Sequence, residues 1–270
     1  ASRMKTDLVS VIMPTYNTGS ILTESIDSIL NQTYKNLELI ITDDKSDDET
    51  TLGILRSYML KDKRVKVFFL DENKGTGYAR NNSIKNAQGQ YIAFCDSDDK
   101  WFPDKLERQV SFLKQKGGCL TYSSYILCDQ HNNEKGIVIS PKKVTFGMMK
   151  RDNKIGCLTL LYDTQQYGKF YFPLLRKRQD WALLLTILKK CTVAYGIQKP
   201  LASYRIRQDS LSRNKISLIK YNLNVYNKIL GYSHAKSCLY FFLVFLPCYF
   251  VKVTKVKATS NRYMKTKRPI

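Results

Sequence analysis

An α/β fold built on a central, mostly parallel sheet flanked by helices is what the first hundred residues predict, on three observations. Four short β-rich runs alternate with three helix-periodic stretches before residue 100. The chemically distinctive residues, at Pro14, Asp43 and Asp96, fall at the ends of those runs, where ligands bind in an open parallel sheet. And 270 residues with 43% apolar content suffice for a sizeable core, which sets disorder aside.

Residues 8–13 read as a buried strand stopped by Pro14, and Leu22, Ile26, Ile29 and Leu30 then fall on one face of a helix. Residues 37–41 form the second strand, ending in Thr42-Asp43-Asp44. Ile54, Leu55 and Tyr58 mark a second helix, residues 65–69 a third strand, residues 76–86 a third helix and residues 91–94 the fourth strand. Past Asp99 a helix opens near Pro103, with Leu106, Val110 and Leu113 on its apolar face. Another opens near Asp180, with Trp181, Leu184, Leu185 and Leu188 as its stripe. The organisation expected is residues 1–100 and 101–220 as two halves of one domain, followed by a helical extension over 221–270.

Charge divides along the same line. Residues 1–100 carry 13 Lys/Arg against 15 Asp/Glu, whereas residues 101–270 carry 31 against 8, which yields the overall +21. Residues 237–251 lack any charge, but the run is shorter than the ~20 residues that span a bilayer, and Pro247 interrupts it. Residues 251–270 then supply seven Lys/Arg and no acid, a pattern suited to an anionic membrane surface; a core helix or an oligomer contact would leave the same trace. The seven cysteines show no CxxC spacing and several sit in apolar runs, so reduced, packed thiols and a cytoplasmic setting are expected. No charged leader followed by an apolar core opens the chain.

Phe94-Cys95-Asp96-Ser97-Asp98-Asp99 crowds three carboxylates at the end of an apolar run, an arrangement that calls for a cation. On an extended strand Asp96 and Asp98 recur on one face about 6–7 Å apart, suited to gripping a metal-bound anion. Mg²⁺ or Mn²⁺ matches carboxylate and phosphate oxygens. Gly75-Thr76-Gly77 invites a phosphate-loop reading, but no Gly-Lys-Ser/Thr follows and Arg80 takes the last place of Gly-x-Gly-x-x-Gly.

Four segments in register, residues 10–17, residues 43–48, residues 75–81 and residues 96–99, resemble the successive signatures of glycosyltransferase family 2. The resemblance implies a GT-A-type fold and an inverting transfer from a nucleotide sugar, UDP-linked in the commonest case, with the nucleobase at Pro14, Thr15, Tyr16, Asn17 and Asp44. It implies Asp98 as metal ligand, Asp96 near the ribose or metal, and Ser97 and Arg80 on the nucleotide side. Lys45 stands where the family often has Gly. In Arg178-Gln179-Asp180-Trp181 it implies Asp180 as the general base, with Gln179 replacing the usual Glu; the bland alternative is Asp180 as an N-cap. Arg207 sits where a His often closes over the diphosphate and could supply the same positive charge. The implied setting is the inner face of a bacterial membrane, with a glycan acceptor, lipid-linked, in O-antigen or capsule assembly. Two alternatives stay open at this point, a sugar nucleotidyltransferase and a basic nucleic-acid-binding protein. Against the latter, the recognisable motifs are acidic and lie in the least basic part, so no specific nucleic acid is expected. Oligomeric state is not legible.

Overall fold

The computed structural model describes residues 5–206 and 215–267. In chain order the elements are β1 (Lys5–Thr15), α1 (Ile21–Leu30), β2 (Leu37–Asp43), α2 (Glu49–Lys61), β3 (Val65–Phe69), α3 (Thr76–Asn86), β4 (Gly89–Phe94) and β5 (Lys100–Trp101). There follow α4 (Lys105–Lys116), β6 (Leu120–Cys128), β7 (Glu134–Val138), β8 (Lys143–Thr145), α5 (Phe146–Arg151), a 3₁₀ turn (Cys157–Thr159) and β9 (Leu161–Asp163). Then come α6 (Gln179–Cys191), β10 (Val193–Arg205), α7 (Lys215–Asn224), α8 (His234–Tyr240) and α9 (Leu246–Thr266).

The sheet runs β3-β2-β1-β4-β9-β6-β10-β5, with β7 on β6 and β8 on β10. The block β3-β2-β1-β4 is parallel, as the alternation of runs predicts. β9 then enters antiparallel to both β4 and β6, so the two halves of the domain share one sheet. Residues 9–13 are buried throughout because β1 lies between two parallel neighbours with helices on both faces. Alternation splits them between two cores: Ile12 joins Ile40, Phe94 and Trp181 on one face, while Val9, Val11 and Met13 join Ile26, Leu39 and Leu106 on the other. Asp48 caps α2 by accepting from the backbone N–H groups of Thr50 and Thr51. Gly117, at φ 65°, ends α4 in the left-handed conformation that a side chain would disfavour.

Three expectations are corrected. Pro14 does not stop the first strand: β1 continues to Thr15, paired with β2. Its pairing with β4 ends at Ile12, so the proline adds no gap to that ladder. The thiols are not all free: Cys119, ahead of β6, and Cys191, at the end of α6, form a disulfide with Cα atoms 6.2 Å apart, while Cys95, Cys128, Cys157, Cys238 and Cys248 remain free. Their 72-residue separation hid the pair from the sequence.

The third correction concerns the C-terminal extension. Helix continues from His234 to Thr266, 33 residues, long and apolar enough by composition to cross a membrane. Pro247 sits in the first turn of α9, after a π turn over Phe241–Phe245 that opens the hydrogen-bond ladder ahead of its ring. One face packs on the α/β domain through Phe241 and Phe245, and further along Ser260 bonds the backbone of Ile137 in β7. Leu239, Phe242, Leu243, Phe250, Val251 and Val253 stand exposed. The basic residues are not all outward: Lys252 pairs with Asp152 and Lys267 with Glu134.

Candidate active site

The carboxyl ends of β1, β2 and β4 meet at one edge of the sheet, and loops from all three are tied together there. Asn17, at φ 46°, donates through Nδ2 to Asp47 (2.6 Å) and accepts through Oδ1 from the N–H groups of Asp47 and Asp48. Its own N–H donates to Ser46 Oγ, which in turn donates to Asp43. Thr15, Thr18 and Ser97 form a buried hydroxyl chain (2.9 and 2.8 Å) that joins the β1 loop to the acidic loop. Pro14 is held in the strand, and Tyr16 is 50% exposed, its ring available as a stacking surface. Asp44 is buried and accepts from the backbone N–H groups of Lys74 (2.7 Å) and Gly75 (2.8 Å), so it anchors the turn into α3. Lys45 adopts φ 63°, which accounts for the glycine preferred at that place, and its ammonium donates to the Asp71 carbonyl.

β4 ends at Phe94, and Asp96, Ser97 and Asp98 lie in a turn rather than on an extended strand, which corrects the expected one-face spacing. The crowding of acids is met in part by two buried guanidinium groups. Arg80 is not an exposed helical residue: it is buried against Phe172, with Nη2 donating to Asp96 at 2.6 Å. Burial would lower its pKa, but Asp96, helped by Cys157 and Asp180, overrides this and raises it. Its Nε is buried with no protein acceptor.

The second cation, Arg205 at the end of β10, was not singled out by the sequence. Its Nε donates to the Asp98 carbonyl (2.9 Å), Nη1 to the Gln130 carbonyl and Nη2 to Glu24, while its backbone N–H donates to the Asp99 carboxylate (3.0 Å). Burial, then repulsion from Asp98 and Asp96, holds the Asp99 carboxyl well above its ordinary range despite Arg205.

Asp180 lies in the first turn of α6, where the helix dipole favours a carboxylate; the capping position belongs to Arg178, at φ 65°. Its charge, like that of Asp96, favours the cationic form of Arg80, and both add to the burial that pushes the Cys157 thiol up. Asn153 Nδ2 donates to Asp180 Oδ2 at 2.9 Å. Gln179, the neighbour that replaces the usual Glu, turns away to donate to the Leu175 carbonyl and packs against Gly77, where a Cβ would lie 2.6 Å from its amide. Arg207 lies outside the described residues, as does Arg268 of the basic tail.

Asp96, more than a third exposed beside the cleft, and Asp98 offer the hard oxygen donors that Mg²⁺ or Mn²⁺ prefers. Among the described residues no group of three His, Cys, Asp or Glu could form an all-protein cage. Arg80 and Asp96 are thus paired, with Asp98 two residues on and Asp180 near enough for its charge to act on Arg80, while Tyr16, Asn17 and Asp44 lie on the adjoining loops.

Residues 10–173 match the family model described as Glycosyl transferase family 2. The chain is 40% identical over 223 residues, 82% of its length and 88% of the other, to the protein of Bacillus subtilis (strain 168) named "Putative teichuronic acid biosynthesis glycosyltransferase TuaG". It is 37% identical over 214 residues, 79% of its length and 83% of the other, to WfgD of Escherichia coli, named UDP-Glc:alpha-D-GlcNAc-diphosphoundecaprenol beta-1,3-glucosyltransferase. Among solved structures, S. aureus TarS 1-349 in complex with UDP-GlcNAc superposes with a TM-score of 0.66 at 21% identity, over 85% of this chain and 69% of that one, which shows a shared fold.

Proposed function

Because the chain belongs to glycosyltransferase family 2, we propose that it moves a sugar, with inversion, from a UDP-linked donor to a hydroxyl of a lipid-linked glycan during assembly of a bacterial surface polysaccharide such as an O-antigen or capsule. The observation that supports this reading is Asp180 in a helix first turn, its charge acting, as that of Asp96 does, on the buried Arg80 that pairs with Asp96. Tyr16, Asn17 and Asp44 line the nucleoside side, with Ser97 holding the loop through its bond to Thr18. Asp180 takes the proton of the acceptor hydroxyl as its oxygen attacks the anomeric carbon opposite the departing diphosphate. A divalent cation held by Asp98 and Asp96 neutralises charge on that leaving group when bound. The donor and acceptor named for the E. coli relative support the UDP and lipid-linked assignments.

The exposed apolar stripe of the C-terminal helix, with Lys255, Lys257, Arg262 and Lys265 beside it, suits the headgroup region of an anionic bilayer on the cytoplasmic side. Because Phe241, Phe245, Ser260 and Tyr263 of the same helix are fixed to the catalytic domain, the helix serves that surface lying flat rather than spanning it.

The test is a screen of nucleotide-sugar hydrolysis by the full chain with and without Mn²⁺, reading which nucleoside diphosphate is released. UDP release that depends on Mn²⁺, and that disappears in Asp98→Ala and in Asp180→Ala without unfolding, is the expected result. Full activity in either variant removes that residue from the mechanism.

A further inference from the structure

The turn between α5 and the 3₁₀ segment is fixed from three sides. Trp181 Nε1 donates to the Met149 carbonyl (2.8 Å) and Tyr226 Oη to the Lys150 carbonyl (3.0 Å), so two of the carbonyls that a helix end leaves open are taken up by neighbouring elements. Asp152, 2% exposed, holds ion pairs to Lys154 (3.3 Å) and to Lys252 of α9 (2.9 Å). Lys252 donates a further bond to the Asn153 carbonyl (2.9 Å). Within this clamp, Asn153 Oδ1 accepts from the N–H of Ile155 (3.2 Å), which fixes the amide orientation and leaves Nδ2 aimed at Asp180 Oδ2.

We infer that Asn153 is the positioning residue of the base, holding one carboxylate oxygen of Asp180 so that the other faces the acceptor, and that Lys252 of the C-terminal helix maintains it in that pose. The inference rests on Asp180 acting as the base. A carboxylate on a first turn can rotate about two side-chain bonds, and a single donor to one oxygen removes most of that freedom. Gln179, the adjacent residue, does not supply this restraint, since its amide is turned to the Leu175 carbonyl. The same contact network ties the base to the helix whose opposite face carries Leu243 and Phe250, so the element proposed to meet lipid also braces the reacting centre.

Asn153→Asp is the discriminating substitution. It keeps the acceptor for the Ile155 N–H, and with it the turn, but replaces the donor to Asp180 by a second carboxylate. The probe is whichever of UDP-glucose, UDP-N-acetylglucosamine and GDP-mannose the full chain hydrolyses fastest with Mn²⁺. Asn153→Ala and Asn153→Asp are each expected to lower kcat about 10- to 100-fold with donor KM within twofold. In Asn153→Asp the acid limb of the kcat profile should also move to higher pH, because the new charge opposes ionisation of Asp180; Arg80, Tyr125 and Cys157, the other groups facing it, are unchanged. Lys252→Met should lower kcat in the same direction by less. Wild-type kcat and an unmoved acid limb in Asn153→Asp, with Asp180→Asn inactive, would overturn the inference. Wild-type kcat in Asp180→Asn would instead overturn the base assignment.

Discussion

Replacing Arg205 by Met tests whether the acidic loop is held by a buried guanidinium. The side chain is 1% exposed and its three donors go to the Asp98 carbonyl, the Gln130 carbonyl and Glu24. Glu24 is 41% exposed and contributes little to the balance, and Gln130 is exposed enough for water to replace its lost partner. Loss of the charge-assisted bond to the Asp98 carbonyl costs about 1.5–3 kcal/mol. Loss of one of the two cations facing the Asp96–Asp98 acids adds to this, so the total falls near the lower bound of the roughly 3–5 kcal/mol typical for removing one member of a buried charged cluster. For a chain of this size about 3 kcal/mol corresponds to a Tm lowered by about 6–12 °C. Differential scanning fluorimetry of the variant against wild type reads the shift, and Mn²⁺-dependent UDP release should fall with it as Asp98 loses its mooring. A Tm within about 2 °C of wild type would refute the reasoning, since the loop would then be held without Arg205.

Three further outcomes are expected. Asp99→Asn keeps an acceptor for the Arg205 N–H while removing a carboxylate held above its ordinary range. In wild type the folded state binds the extra proton, so this group's stabilising contribution is lost as pH rises from the ordinary carboxylate pKa of 3.8 through the raised folded value. The variant should therefore unfold at higher urea concentration at pH 7, with a flatter dependence on pH; a lower midpoint counts against it. EDTA should abolish nucleoside diphosphate release and added Mn²⁺ restore it, as read by coupled assay, whereas full activity in EDTA would remove the cation from the reaction. Leu243→Ser with Phe250→Ser should reduce sedimentation with vesicles containing anionic lipid while leaving hydrolysis of soluble donor unchanged, and undiminished sedimentation would show that this stripe meets something else.

The parallel half of the sheet was legible because its signals are local. The helix of residues 76–86 and the strand of residues 65–69 fall where the periodicity sets them, and Leu22, Ile26, Ile29 and Leu30 are all buried as their spacing requires. β9 was missed because three residues carry no periodicity, and its identity comes from its neighbours on both sides. The site divides in the same way. Asp96 and Asp98 stand out as an acidic cluster and Asp180 through the family resemblance, but nothing in the chain shows that Arg205 meets Asp98 across 107 positions or that Asn153 meets Asp180 across 27. The buried state of Arg80 was equally hidden, since only the fold brings Phe172 over its guanidinium.

Gly77 lets the start of α3 meet the start of α6 at a side-chain tip. With hydrogen in place of a methyl, the start of α3 seats directly on the Gln179 amide at the start of α6. Alanine at 77 would press its methyl on that amide, the movable end of a flexible side chain, so the first adjustment would fall on Gln179, which would swing and release the Leu175 carbonyl. The missing carbon thus serves as a parking space for one side chain.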